Sequence, residues 1–496
     1  MTDQRHTALT SGQADRAAGV ILGLACGDAL GAGYEFMPAR VNGEVVAMVG
    51  GGSFGWEPGE WTDDTSMAIA IAEVSATGID LRSVEALDRI TARFASWAAG
   101  ARDVGIQTSA VLSSISASPT SDAATTSARD YFSRTGRTGN GSLMRTAPVA
   151  LAYLHDAQAR RRAARMVSGL THGDDEAGEA CALWCDAIAH AVVHGNLEGL
   201  RLAVEGLPPD RAELWHARLD HAESVAPQEI PSNGWVVAAL QAAWSAITRT
   251  PIPVDSPGAS SFAAQHLQLA LDAAVRAGDD TDTVAAIAGG LLGARWGASA
   301  IPLKWQRIVH GWPGLRARDL IALGLLTARG GQPDAHGWTL APLQDYSSFP
   351  DVHSLAVHPH DPGVLLGGVG ALRSLPLGVD AVVSLCRLGA DEVPAAGVAY
   401  GNHVEVWIID SASKAANPHL GYLLDQSADA IAVLRGEGRT VLLHCVQAHS
   451  RTPAVAALYA ARHRGIPMKQ AIDDVCAALP GAMPNAAFMD ALRVAC

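Results

Sequence analysis

The chain has 496 residues, 49% of them apolar and 17% charged, a composition of folded domains rather than a disordered chain. Its 36 basic residues face 50 acidic ones for a net charge of −14, which argues against broad electrostatic binding to nucleic acid or an anionic membrane. Lysine occurs only at Lys304, Lys414 and Lys469 and no glycine-rich loop ends in Lys-Ser or Lys-Thr, so a P-loop nucleotidase is excluded.

In chain order, Met1-Thr2-Asp3-Gln4-Arg5-His6 lacks the apolar stretch of a signal peptide. Seven sparse cysteines form neither a disulfide framework nor a Cys-x-x-Cys pair, and a reduced cytoplasm is expected. Apolar runs are broken by charges such as Arg295 before membrane-spanning length, so no membrane association is expected. From about Gly12 to Thr327 the apolar spacing predicts helix after helix, over 15–25, 66–75, 84–98, 158–170, 176–194, 235–247, 262–276 and 283–296. The Ser/Ala/Thr-rich run 113–127 reads as a surface loop. Arg329-Gly330-Gly331-Gln332-Pro333-Asp334 reads as a linker. Beyond it, β-branched runs at 363–366, 381–385, 403–409 and 440–443 alternate with helical stretches, which predicts an α/β domain with a small parallel sheet. The expected division is residues 1–327 (all-α), 328–344 (linker) and 345–496 (α/β).

Two acidic clusters stand out: Thr62-Asp63-Asp64-Thr65 and Asp279-Asp280-Thr281-Asp282-Thr283. Each enters a predicted helix, where one acid or threonine serves as a cap for unpartnered N–H groups. Two independent solvated caps are one reading. The other is a single centre built from both clusters, with hard divalent cations relieving the repulsion among carboxylates. Recurrence of the same Asp/Thr pattern in the same context favours the second. Gly139-Asn140-Gly141-Ser142 is a turn whose small residues let backbone N–H groups approach an anion.

Gly27-Asp28-Ala29-Leu30-Gly31-Ala32-Gly33-Tyr34-Glu35-Phe36, Trp61 to Thr65, Gly139 to Arg145, Thr171-His172 and Gly278 to Thr283 together resemble the motifs of the ADP-ribosylglycohydrolase family, in the family's order. The resemblance covers roughly residues 14 to 325. It implies an all-α bundle that removes ADP-ribose from a modified protein or a small conjugate with two Mg2+ or Mn2+ ions. It implies that Thr62, Asp63, Asp64 and Asp282 hold one metal, and Glu35, Asp280, Asp282 and Thr283 the other, with Asp282 as the bridge. Glu35 and Asp63 would take part in catalysis, Glu35 as ligand or general base. Gly139, Asn140, Gly141, Ser142, Leu143, Met144 and Arg145 would cradle the diphosphate, with His172 near the ribose. Breaking the bond at the anomeric carbon develops oxocarbenium character, which an oriented water and fixed hydroxyls assist. The competing reading is a binding module that holds ADP-ribose without turnover.

A second constellation follows the strand-like run Thr440 to Leu443: His444-Cys445-Val446-Gln447-Ala448-His449-Ser450-Arg451-Thr452, then a helix. A strand, tight loop and helix start make an anion cradle, in which Cys445 is placed as a nucleophile and Arg451 as a two-pronged phosphate ligand. Residues 345 to 496 resemble the dual-specificity and tyrosine phosphatases, which implies that Asp410 is the general acid and that a phosphorylated substrate binds here. The family has glycine where this chain has Ala448. Catalysis by Cys445 and a degenerate scaffold both remain open on that ground.

Overall fold

Helix α1 (Ser11–Gly31) starts in a reciprocal cap, Gln13 N donating to Thr10 Oγ1 at 3.3 Å while Thr10 N donates to Gln13 Oε1 at 3.0 Å. Along it, Gly19, Gly23, Gly27 and Gly31 recur every fourth residue and so form one stripe. The stripe lies backbone-on-backbone against α5 (Thr281–Trp296). A Cβ at Gly23 would come within 2.4 Å of Gly289 O, and one at Gly27 within 2.1 Å of Ala285 O. No other residue permits that approach, and it brings the C-terminal end of α1 beside the first turn of α5.

The computed structural model describes residues 9–39 and 45–495, so the reading of Met1–His6 lies outside the described residues. Two compact units emerge. The first takes in the chain up to Pro251, His266–Ile301 and Ile308–Gln332; the second takes in Ile252–Gln265, Pro302–Arg307 and the chain from Pro333 onward. The first unit is helical, its described strands being the two-residue pair His310–Gly311 and Leu315–Arg316. The elements that carry its site are α1, α2 (Asp63–Ser75), α3 (Ile106–Ser114) and α5, with α4 (Asp175–His194) following His172.

Two expectations need correction here. Ser11–Tyr34 is long and apolar enough, with mean hydropathy 1.4, to cross a membrane by length and composition, so charges do not interrupt every apolar run. Its apolar window is wholly buried inside the protein, because the glycine stripe makes it the helix around which the unit packs. The run 113–127 is a loop only over 115–120. Helix α3 ends at Ser114, and a further helix spans Ser121–Thr135, capped by Thr120 Oγ1 on Ala123 N at 3.3 Å. Its alanines Ala124 and Ala128 are fully buried, which outweighs the modest helix propensity of its serines and threonines.

The second unit is a five-stranded sheet, β1 (Leu355–His358), β2 (Asp361–Gly367), β3 (Ala381–Ser384), β4 (His403–Glu405) and β5 (Val441–His444), in the order β1-β2-β5-β3-β4. β1 pairs antiparallel with β2 and the other pairings are parallel. The sheet is therefore mostly rather than wholly parallel, and the edge strand β1 was not expected from the sequence. Helices α6 (Leu420–Gly436) and α7 (Arg451–Arg464) pack on it over a core of Val364, Leu366, Val383, Leu443 and Val455. The borrowed segments join this unit: Leu303 enters that core, and Phe262 meets Tyr422 edge-on at 5.7 Å.

Candidate functional site

Thr62 stands at the start of α2 and Asp280 at the start of α5, yet neither makes a side-chain capping bond. Asp28 of α1 does that work for α2. Its Oδ1 accepts Thr62 N at 2.9 Å, and its Oδ2 accepts Thr65 N at 2.9 Å and Thr65 Oγ1 at 2.6 Å. The cluster carboxylates are left free to face one another. One oxygen each of Asp28, Asp64 and Asp282 lie within 4.8 Å of one another, and so do those of Glu35, Asp280 and Asp282.

Asp282 belongs to both groups, where the expected bridge would stand. Thr62 Oγ1 donates to Asp64 Oδ2 at 3.1 Å, while Thr283 N donates to Asp282 Oδ1 at 2.9 Å. Asp280 Oδ2 is held by Asn140 Nδ2 at 2.7 Å, and Asn140 Nδ2 also donates to Asn233 O at 3.0 Å. A short backbone pairing, Phe36 N to Asp279 O at 2.7 Å and Asp279 N to Met37 O at 3.0 Å, ties the residue after Glu35 to the residue before Asp280.

Burial pushes every one of these carboxyls upward, with repulsion from neighbouring carboxylates adding to it for Glu35, Asp63, Asp64 and Asp282: Glu35 to about 9, Asp28 to about 6, and Asp63, Asp64, Asp280 and Asp282 above the usual range. For each, loss of water is the largest cause. Glu35 Oε2 and Asp64 Oδ1 are buried with no hydrogen-bond partner. Orphaned carboxylate oxygens in an all-oxygen donor set are what a hard divalent cation satisfies, so the residues fit such ions.

A cleft of about 750 Å³ opens over this centre. Glu35, Asp63, Asp280, Asp282 and Thr283 line it, together with Gly139, Asn140, Gly141, Met144 and His172. The N–H groups of Gly141 and Ser142 have no acceptor among the described residues, as an anion cradle requires. Ser142, Leu143 and Arg145 of the expected cradle do not line the cleft. Arg145 is fully buried below it, over the Phe94 ring at 4.5 Å. Sequence reading missed Asp103, Arg137, Gln107 and Trp235, which line the same cleft. Asp103 makes no ion pair among the described residues, and burial with the nearby Asp280 raises it to about 6. No motif marks it. The motif that contains Asp28 gives it no role, because its partners lie 34 and 37 residues away.

In the second unit, Cys445 follows β5 as expected, while helix α7 begins at Arg451, two residues earlier than the sequence places it. Ala448 adopts φ 59°, so the left-handed turn that glycine would supply is kept at a strain of roughly 1–2 kcal/mol. The N–H groups of Val446, Gln447, Ala448, His449, Ser450 and Arg451 have no acceptor among the described residues. Arg451 Nη1 donates to Leu385 O at 2.8 Å, its Nε lies 3.4 Å from Asp410 Oδ2, and Asn485 Nδ2 holds Asp410 Oδ1 at 2.9 Å. Cys445 is 1% exposed at the base of the loop. A buried relay supports it from below: Ala395 N donates to His403 Nδ1 at 3.0 Å, which leaves His403 Nε2–H to donate to Ser384 Oγ, 2.8 Å away. Ser384 Oγ then donates to His444 Nε2 at 2.7 Å, and His444 Nδ1–H faces Cys445 O at 3.2 Å.

A helical unit whose buried carboxylates converge under a cleft defines a candidate cation-binding centre. Residues 9–334 match the ADP-ribosylglycohydrolase family, and the chain belongs to it. The ADP-ribosylarginine hydrolase Tri1 of Pseudomonas putida (strain GB-1) is 35% identical over 319 residues, 61% of this chain and 76% of that protein. A solved ADP-ribosylglycohydrolase-related protein complex is similar at TM-score 0.51 and 29% identity, over 65% of this chain and 100% of the other. The C-terminal region is similar to human DUSP28 at 26% identity, over 28% of this chain and 90% of that one, with a TM-score of 0.24.

Proposed function

We propose that the first unit hydrolyses the bond between ADP-ribose and an arginine side chain. The observation that carries the arginine reading is Asp103, a carboxylate on the cleft wall without a basic partner among the described residues, beside Glu35 and Asp63. A guanidinium leaving group is a planar cation that such a carboxylate binds through two hydrogen bonds, whereas a serine hydroxyl has no charge to answer it. The name of the Pseudomonas putida relative supports the same linkage.

When bound, two cations held by Glu35, Thr62, Asp63, Asp64, Asp280, Asp282 and Thr283 supply Lewis acidity and a lowered water pKa. The chain's own groups do the rest. The Gly141 N–H group on the cleft wall receives the diphosphate, and Asn140 fixes the direction of Asp280. Glu35 takes a proton from the attacking water as the oxygen bonds to the anomeric carbon. The C–N bond breaks, and the leaving guanidine regains the proton. Full-length protein given Mg2+ or Mn2+ should release free ADP-ribose from an ADP-ribosylarginine peptide faster than from an ADP-ribosylserine peptide. Faster serine release would reverse the linkage. Tight ADP-ribose binding with release from neither peptide would leave the non-hydrolysing binding module.

A second activity has its own observation. Six consecutive N–H groups from Val446 to Arg451 without acceptors favour a loop that binds a tetrahedral oxyanion, with Cys445 as nucleophile and Asp410 as acid. The substrate of this loop is a phosphate monoester.

A further inference from the structure

Arg145 is a fully buried cation with no carboxylate partner among the described residues, an arrangement that is costly unless it serves a purpose. Its Nη2 donates to Thr171 Oγ1 at 2.6 Å, its Nη1 reaches Met67 Sδ at 3.5 Å, and its Nε has no partner. Thr171 Oγ1 in turn lies 2.8 Å from His172 Nδ1. A guanidinium only donates, so the threonine oxygen is an acceptor on that side. Its own proton then has one partner in reach, His172 Nδ1. A proton on Nδ1 as well would set two donors against one oxygen and leave the hydroxyl proton unmatched. Nδ1 is therefore the acceptor, and the neutral ring carries its proton on Nε2.

We propose that Arg145, acting through Thr171, fixes His172 as an Nε2–H donor to an oxygen of the ADP-ribosyl ligand, a proposal that rests on the hydrolase reading. The donor edge meets the cradle loop. Cβ atoms placed at Gly139 and Gly141 would each lie 3.5 Å from Nε2, so the side-chain-free turn leaves that nitrogen room to reach a ligand. Nε2 has no acceptor among the described residues, and the backbone beneath is held by Gln107 Nε2 on Thr171 O at 3.0 Å. Burial and the Arg145 charge both hold His172 well below its ordinary pKa, in keeping with a neutral ring. Nitrogen Nε2 is thereby removed as a base and as a metal ligand. Arg145 and Thr171 are positioning residues, and the burial of Arg145 acquires a purpose that diphosphate binding does not give it.

The test is histidine-selective 15N NMR on full-length, metal-free protein at neutral pH, with the His172 signal assigned by its loss in His172→Gln. The expected spectrum shows a protonated Nε2 and an unprotonated Nδ1. Thr171→Val should mix the tautomers and weaken ADP-ribose binding about tenfold, roughly the worth of one well-placed hydrogen bond. Thr171→Ser, which keeps the hydroxyl, should restore both. Arg145→Met should mix the tautomers as well, and Thr171→Val keeps the test valid where that variant fails to fold. An Nδ1–H tautomer in the parent, or unchanged tautomer and affinity in Thr171→Val, would overturn the proposal. If the tautomer and affinity shift as expected while no ADP-ribosyl peptide is cleaved, the hydrolase reading fails and the His172 assignment stands.

Discussion

Asp282 carries the most consequence of any single side chain, because it closes both carboxylate groups. In metal-free protein its charge sits against Asp64, Glu35 and Asp280, all of which raise its pKa after burial itself. Asp282→Asn keeps an oxygen to accept Thr283 N and removes that repulsion. Its metal-free melting temperature should equal or exceed the parent's. It should also lose most of the rise that Mg2+ or Mn2+ gives the parent, since a ligand that binds only the folded state stabilises it. Hydrolysis should fall at least about 100-fold, the upper end of what losing a mere outer-shell partner costs. Melting scans with and without cation, beside a release assay, check all three, and a normal cation response would end the bridging assignment. The charged members of this site were legible, because runs such as Asp63-Asp64 exceed any capping need. Their support was not. Asp28 acts on backbone N–H groups far along the chain, Asp103 sits in no pattern, and Arg145 looks like a cradle residue until its burial is known.

At the level of elements, the site depends on how close α1 and α5 come. Gly289 is the sharpest probe: its Cβ would stand 2.1 Å from Gly23 O, and a backbone oxygen cannot turn aside as a side chain can. Gly289→Ala should therefore force the helices apart, at about 1–3 kcal/mol or more for overpacking, despite the better helix propensity of alanine. Asp282 moves with α5 and Asp28 with α1, so cation affinity should fall along with stability. Gly12→Ala on the same α1 is the control. There a Cβ meets only the tip of the Arg16 side chain at 3.4 Å, and the melting temperature should stay or rise slightly. Equal loss in both variants would show that helix propensity, not the close approach, governs this pair. The spacing of apolar residues reveals helices such as Val84–Ala98 to the residue, since one face is buried and the other wet. It fails where side chains are small over two turns, as in 121–128 of the helix Ser121–Thr135, and where pairing rather than composition makes a strand, as in Leu355–His358.

For the whole molecule, the reactive groups assigned to the two proposed chemistries fall in different compact units. Every residue assigned to ADP-ribosyl hydrolysis lies before Pro302, in segments of the first unit, and Cys445, Arg451 and Asp410 all lie in the second. Loss of one chemistry should then leave the other intact. In the full chain, Cys445→Ser should abolish hydrolysis of an aryl phosphate with ADP-ribose release unchanged, while Asp282→Asn should do the reverse. Arg451→Lys should resemble Cys445→Ser, because an ammonium lacks the planar fork and the Leu385 carbonyl would lose its donor. Truncation is a less clean experiment than these point variants. The second unit recruits Ile252–Gln265 and Pro302–Arg307, and Leu303 lies in its core. A chain beginning at Pro333 would lack Leu303, the Phe262 ring on Tyr422, and the Arg307 guanidinium that pairs with Glu437. Removing a buried leucine together with an aromatic contact should cost several kcal/mol, about 2–5 for the leucine alone. That fragment should melt well below the corresponding transition of the full chain, and phosphatase activity lost in the fragment would report on its folding. Joint loss of both activities in Cys445→Ser, with unchanged melting, would mean that the two chemistries are coupled rather than merely carried on one chain.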